Sequence, residues 1–458
     1  MSILNEIKKY NSIFYHDNHN VKLKLMASHP FIFLRGTVEL FFKELAKEEY
    51  QNSIFFNNDL QCWCSNDIHA TNFGFSNVSC SSNGEVHYQI NDFDEAFSSN
   101  PFYDVIRFCS SLYYFVEEAN IELEIKNPNH FNNLEPIDFI NLFLKEYKKT
   151  IQNHKRYSKM LEEEFPFMYS KQIEVLNKSL SSDKNSRFYK YTEKNNFGYV
   201  LNNKNKKMET IPLQDRLSLI NKIQTLYPDC EILDLKKRKV AGVGSSHLLR
   251  YYFILKKEED YLLMELKEQV RPVSTLYIPK DMNKFNQKDK YKNFAYIQSK
   301  AINKMIGSKY DTNLKHIEIF NKSFISRTSF NAKLKVSIQE IINEDFTSSK
   351  SNLEEYIKLA AIKIGKVHVR SAKNKDIFKE EVSTLLEKNT DILLGMIKRV
   401  YNKIEMSYSA FLREYYLTIG NILDPQEFEE YFEKTLQLFE EQSSKLKKDI
   451  SSEKNLKD

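Results

Sequence analysis

The sequence predicts an α+β protein in which a small α/β segment is flanked by two helical ones. Three observations carry this. Only 10 Gly and 10 Pro occur among 458 residues, which favours long helices over a many-turned β fold. Apolar side chains recur at helical spacing over residues 30–48 and 100–116, and again from 353 to about 445. From residue 229 the texture changes to short alternating runs separated by charged turns, as strands require. If the helical parts pack together, two lobes face each other across a cleft. The corresponding divisions are 1–225, 226–340 and 341–458.

The elements follow in order. Phe31, Leu34, Val38, Phe41, Phe42 and Leu45 form a helical stripe. Residues 73–92 read as a hairpin, with Asn83-Gly84 as its tight turn and Val86, Tyr88 and Ile90 on one face of the returning strand. That strand delivers Asp92 to its end. Asn100 is placed to cap a helix and Pro101 to open it. Residues 136–180 read as further helix, and the polar stretch 181–211 as a loop or insertion. Lys239–Gly244 leads into a strand over 248–255, and a second strand spans 261–267. Phe294, Ile297, Ala301, Ile302 and Met305 mark a helix over 291–306. Residues 324–330 and 333–338 read as strands. The last dozen or so residues are charged, and fraying is expected there.

Composition excludes several classes. A hydrophobic fraction of 41%, with 33 Phe and 27 Tyr, argues against global disorder. The net charge of +5 is small against 67 basic and 62 acidic residues, so charge alone does not call for nucleic acid. The five cysteines (Cys62, Cys64, Cys80, Cys109, Cys230) include no CxxC pair. Buried free thiols in a reducing compartment are expected, rather than a disulfide framework or a structural zinc site. The first residues lack an apolar signal core, and no apolar run approaches the roughly 20 residues needed to cross a bilayer. These features predict a cytoplasmic protein without membrane contact, or one exported by a route the sequence does not announce.

The chemistry-bearing residues cluster early. Asn66-Asp67-Ile68-His69-Ala70-Thr71-Asn72 is followed by Asn91-Asp92-Phe93-Asp94. A hydroxyl attacking a phosphate needs a carboxylate to accept its proton, and Asp67 suits that role with His69 beside it. Magnesium prefers oxygen ligands, which Asn72 and Asp92 supply; Asp94 serves a second metal or braces the loop. A surface turn with Asx caps is the structural alternative. A metallophosphoesterase reading of Asp67-x-His69 lacks the further short histidine clusters that such chemistry needs. Gly242-Val243-Gly244-Ser245 can expose backbone N–H groups to phosphate oxygens, although no P-loop motif is complete. Lys267 ends the second strand after that turn, on one face with Leu263 and Glu265. A kinase holds its α- and β-phosphates with such a lysine. An acidic partner is expected from the next helix, but residues 291–306 contain neither Glu nor Asp. Gln298 is the nearest substitute, and adjacent Glu268 should point to the opposite face.

Ser28-His29-Pro30-Phe31, Leu34-Arg35-Gly36-Thr37, NDIHATNFG (66–74), INDFDEA (90–96), Pro101 with Asp104 and Arg107, GVGSS (242–246) and Leu266-Lys267-Glu268 together resemble the bacterial "domain of unknown function 2252" family. Phe324-Ile325-Ser326-Arg327 with Lys333, and the run from Gly365 to Ser371, extend the resemblance, which covers about residues 25–400. That family is similar to protein-kinase-like enzymes of the aminoglycoside and choline phosphotransferase type. The resemblance implies a two-lobed protein-kinase-like fold with a small antiparallel-sheet lobe and a large helical lobe. It also implies circular permutation: catalytic loop first, nucleotide lobe second, and the histidine-bearing helix that normally precedes the catalytic loop third. Asn66 stands where the pattern has Gly, and His247 where a fuller glycine turn has another.

The expected function is ATP- and Mg2+-dependent phosphoryl transfer to a hydroxyl of an unidentified small molecule or protein. Lys267, Gly242, Gly244 and Ser245 would hold the nucleotide, and Asn72, Asp92 and Asp94 the metal. AMP transfer on the same fold, or a non-catalytic nucleotide-binding module, are the alternatives.

Overall fold

The protein is described from a computed structural model over residues 2–11, 13, 20–77, 86–128, 132–154, 162–180, 187–196, 198–202, 208–238, 248–278, 293–307, 311–329 and 333–420. The chain forms two compact units, residues 1–33 with 405–458, and residues 34–404.

The smaller unit contains α1 (Ile3–Tyr10) and α2 (Val21–Ala27). Glu414 accepts the backbone N–H groups of Leu4 (2.7 Å) and Ile3 (3.3 Å), which answers the orphan donors at the start of α1. The Phe33 ring packs on Tyr408 and Phe411 at centroid distances of 5.3 and 5.2 Å.

The larger unit is mixed α+β. It opens through α3 (Pro30–Gly36, which begins in the smaller unit), α4 (Val38–Leu45) and α5 (Glu48–Gln51). Strands β1 (Cys62–Cys64), β2 (Phe73–Asn77), β3 (Val86–Ile90) and β4 (Phe97–Ser99) come next. β1 pairs with β4, and β2 pairs with β3 from Phe73↔Ile90 to Asn77↔Val86. The 73–92 hairpin is therefore present, while its Asn83-Gly84 turn lies outside the described residues. The helix expected after Pro101 is α6 (Phe102–Lys126), and the Asn100 side chain accepts the Phe102 N–H at 2.9 Å.

The expected 136–180 helix is interrupted, as α7 (Pro136–Gln152) and α8 (Pro166–Leu180). The stretch 181–211 is not simply a loop. It carries α9 (Arg187–Tyr191), the hairpin β5 (Thr192–Asn195) and β6 (Gly198–Leu201), and β7 (Met208–Glu209). Its few apolar residues explain the difference. Phe188, Tyr191 and Leu201 are buried on the sheet beneath, so tertiary packing rather than local pattern fixes them.

α10 (Leu213–Leu226) leads into β8 (Glu231–Arg238), β9 (Arg250–Lys257) and β10 (Asp260–Gln269). After α11 (Phe294–Met305) come β11 (Lys315–Ile319), β12 (Lys322–Thr328) and β13 (Lys333–Leu334). Six strands form one antiparallel sheet in the order β11-β12-β10-β9-β8-β7. β10 is central, and both of its faces are buried. Met264 and Leu266 pack with Leu219 and Ile223 of α10, while Leu263 packs with Tyr252, Ile254 and Leu201. Each fully buried aliphatic side chain contributes about 1.5–3 kcal/mol, which holds β10 in register.

The predicted strand over 333–338 is shorter than expected. β13 pairs with β2 through Lys333↔Ser76 and Leu334↔Phe75, and the chain then turns into α12 (Ile338–Ile341). Ser337 and Glu340 form a capping box there, a helix-start signal that ended the strand. α13 (Phe346–Ser371), α14 (Lys375–Lys388) and α15 (Thr390–Gly420) complete the described chain, and residues 405–420 of α15 belong to the smaller unit. No helix among the described residues is long and apolar enough to cross a membrane.

Candidate active site

The loop between β1 and β2 is held from below by one carboxylate. Asp104, in the first turn of α6, accepts the backbone N–H groups of Ser65 (2.9 Å) and Asn66 (2.7 Å). Its Oδ2 also meets His368 Nε2 at 3.1 Å, and His368 Nδ1 meets the Tyr147 hydroxyl at 2.8 Å. Burial acts to lower the His368 pKa, but Cys64 and Asp104 outweigh it and push it up to about 9.

Asn66 explains its own departure from glycine. Its φ is 60°, in the left-handed region that glycine adopts freely and asparagine tolerates. Asparagine also supplies bonds that glycine cannot. Its amide donates to the carbonyls of Glu95 (3.2 Å) and Phe97 (3.3 Å), and its oxygen accepts the Ser99 hydroxyl (2.7 Å). The loop is thereby tied to the segment that follows β3.

Asp67 comes next and turns toward Arg107. Its Oδ1 accepts from Arg107 Nη2 (2.7 Å) and Nε (3.1 Å). Arg107 is fully buried, donates from the same Nη2 to the Leu34 carbonyl (2.6 Å), and lies over the Phe41 ring. Desolvation pushes the Asp67 pKa up to about 6 against the pull of Arg107, and the negative charge of Asp92 adds to the rise. With its pKa near 6 the carboxyl is mostly ionised at neutral pH.

His69 is buried and bonded to the Thr71 hydroxyl at 3.0 Å. Burial, then Arg35, Arg107 and Lys335, drive its pKa well down, so its imidazole is neutral. Asn72 is buried, and its amide nitrogen donates to the Asp67 carbonyl at 3.2 Å. That commitment leaves the side-chain oxygen as the atom for a ligand. The Asn72 carbonyl accepts the Asn91 N–H at 2.8 Å, which links the loop to the end of β3.

Asp92 is exposed to water, although the protein around it takes some hydration from its carboxylate. Desolvation alone would raise its pKa. The positive charges of Lys267 and Lys335, the Asp94 N–H and Arg327 outweigh that and hold it below the usual carboxylate range. Asp94 pairs with Lys267 Nζ, and Gln298 of α11 donates to the Asp94 carbonyl. Asp94 is thus the acidic partner of Lys267, supplied by the loop after β3 rather than by α11. The stand-in Gln298 does come to the same place, but to the backbone of that loop. Glu268 points away as expected, accepting the Leu249 N–H and pairing with Lys322 at 2.9 Å. Burial, with the negative charge of Asp67, pushes the neighbouring Glu95 up to about 8, so it holds its proton at neutral pH.

Asp67, Asn72, Asp92, Asp94 and Lys267 are therefore brought to one place. Gly242, Gly244 and Ser245 lie outside the described residues; in sequence they join β8 to β9. A separate hollow lined by Glu209, Pro212, Asp215, Lys237 and Tyr251 contains none of the candidate residues. Asp104 and Arg107 are motif positions whose tasks the motif alone does not reveal. Their i, i+3 spacing at the start of a helix puts both on the face that meets the loop.

The fold and the site together define a mixed α+β protein with acidic and amide groups gathered against a strand lysine. The chain belongs to the family described as "uncharacterized protein conserved in bacteria" (DUF2252), which it matches over residues 16–414. No curated protein and no solved structure gives a significant match.

Proposed function

We propose that this protein is an ATP- and Mg2+-dependent phosphotransferase with a circularly permuted, kinase-like architecture. The observation that carries the proposal is the ion pair of Lys267 with Asp94, beside a loop that presents Asp67 and Asn72. A kinase needs a glycine-rich turn, a lysine on the third strand, a helix after it, and a base and metal ligands on the facing loops. Here the sequence Gly242-Val243-Gly244-Ser245, outside the described residues, falls between β8 and β9 in the chain, Lys267 lies on β10, and the helix that follows, α11, reaches the same loop as Lys267 through Gln298.

The residues present fit a hard divalent cation. Asp92 is ionised, and the Asn72 oxygen is left available by the bond its nitrogen makes. Magnesium bound there would neutralise charge on the nucleotide phosphates and leave phosphoryl transfer to positioning. Asp67 accepts the proton of the acceptor hydroxyl as its oxygen attacks the γ-phosphorus. The bond to the β–γ bridging oxygen breaks, and ADP leaves. Arg107 fixes the orientation of Asp67 through two donors, so the second carboxylate oxygen is the one that takes the proton. Lys267 exchanges Asp94 for the α- and β-phosphates.

ATP consumption by wild-type protein, with identification of the transferred group by mass spectrometry, tests the proposal. Phosphate added to an acceptor is expected; addition of AMP would replace the reading with nucleotidyl transfer. Absence of both Mg-ATP binding and turnover would defeat it.

A further inference from the structure

Beneath the candidate catalytic loop lies a second cluster that the phosphotransfer reading does not use. β1 is the run Cys62-Trp63-Cys64, and residues two apart on a strand project from the same face. The two sulfurs are 3.5 Å apart. His368 comes to them from the last turns of α13, and one ligand atom from each of the three residues lies within 4.8 Å of the others. All three side chains are buried. This S–S separation is close to that of two thiolates on one tetrahedral zinc, whose Zn–S bonds are about 2.3 Å.

The surroundings suit a closed structural centre. Two thiolates neutralise Zn2+, so a dry interior gains no net charge. The Ser99 and Asn100 carbonyls, each 3.7 Å from Cys64 Sγ, offer oxygens for a fourth position. His368 already has the outer partners of a metal-bound imidazole, Asp104 on one nitrogen and Tyr147 on the other. Binding exchanges one of these bonds for the metal and keeps the other.

Position in the fold gives the cluster a task. β1 and the end of α13 are about 300 residues apart, yet they are stitched together by the Trp63 N–H to the Ser371 hydroxyl (3.0 Å) and the Lys373 N–H to the Gln61 carbonyl (3.4 Å). Crosslinks that close long loops remove the most chain entropy. We propose that Cys62, Cys64 and His368 form a structural zinc site that staples α13 to the strand entering the candidate catalytic loop. On binding, both thiol protons and any proton held by the ligating His368 nitrogen are released, and two Zn–S bonds and one Zn–N bond form.

Metal analysis of full-length protein purified without chelator tests this directly. About one zinc per chain is expected, with a lower melting temperature after chelation that returns on adding Zn2+. Co2+ in place of zinc should give thiolate-to-cobalt charge-transfer absorption. Cys62→Ser with Cys64→Ser should abolish both signals, whereas Cys109→Ser, at a buried cysteine outside the cluster, should retain them. Wild-type protein that holds no zinc, takes up no Co2+ and shows four or more reactive thiols on unfolding would overturn the proposal. So would a Cys62–Cys64 disulfide in the intact mass, or copper in place of zinc.

Discussion

Lys267 and Asp94 form an ion pair between the central strand of the six-stranded sheet and the loop after β3, 173 residues away in the chain. The lysine side chain is only 5% exposed, so the pair is substantially desolvated, and breaking it without replacement would leave a buried charge. Nucleotide phosphates offer that replacement. Lys267→Ala should therefore weaken Mg-ATP binding by about 10- to 100-fold, the worth of one charge-assisted hydrogen bond. Calorimetric titration of folded variant and wild type measures it, and equal affinities would remove Lys267 from the nucleotide site.

Asp67→Asn should separate binding from chemistry. The amide keeps the shape of the carboxylate but cannot accept the hydroxyl proton. Turnover should fall by about 10²–10⁴, with Mg-ATP affinity little changed. Steady-state rates at saturating ATP give the first quantity and titration the second. Undiminished turnover would exclude Asp67 as the base.

The pH profile should report the same carboxyl. The proposed base accepts a proton only when ionised, and the Asp67 pKa is raised to about 6. The rate should therefore rise through about pH 6 and level off above it. Arg107 lowers that pKa by charge and by hydrogen bonding. Arg107→Gln, if folded by circular dichroism, should move the acid limb to higher pH. A limb that stays in place would mean that a different group sets it.

Much of this arrangement was legible in sequence because its signals are local. Asn66 to Asn72 and Asn91 to Asp94 carry their spacing on the page, and the alternation of residues 86–90 gives the strand that delivers Asp92. The loop pairing of Lys267 was not legible. Its partner lies far away in sequence, and the expected source, α11, sends an amide to the backbone of the same loop instead. The 181–211 stretch misled for a related reason: Phe188, Tyr191 and Leu201 are sparse in sequence, and only the sheet under them makes them a core. Cys62 and Cys64 read as isolated thiols because His368, the third member, comes from a helix near the other end of the chain.

Gly365 links the helical packing to the loop. A Cβ there would lie 2.9 Å from Thr150 Cγ2 and 3.0 Å from Thr150 Cβ, where α13 crosses α7. Thr150 cannot easily yield. It is β-branched, and its hydroxyl donates to the Glu146 carbonyl at 2.8 Å, which fixes its rotamer. Gly365→Ala gains about 0.8–1.0 kcal/mol in helix propensity. Overpacking costs about 1–3 kcal/mol, so a net loss of roughly 0–2 kcal/mol is expected. Thr150→Ser removes the offending methyl group and keeps the hydroxyl. The double variant Gly365→Ala with Thr150→Ser should therefore be more stable than Gly365→Ala alone, although Thr150→Ser by itself should be neutral or slightly destabilising. Denaturant unfolding of the four proteins yields the coupling energy. Additive effects would show that the two helices are not in contact at this point. His368 follows Gly365 by less than one turn and bonds the Asp104 carboxylate that holds the Ser65 and Asn66 N–H groups. A displaced α13 should thus also lower turnover in Gly365→Ala, and Thr150→Ser, which removes Cγ2 but keeps Cβ, should recover part of both properties together.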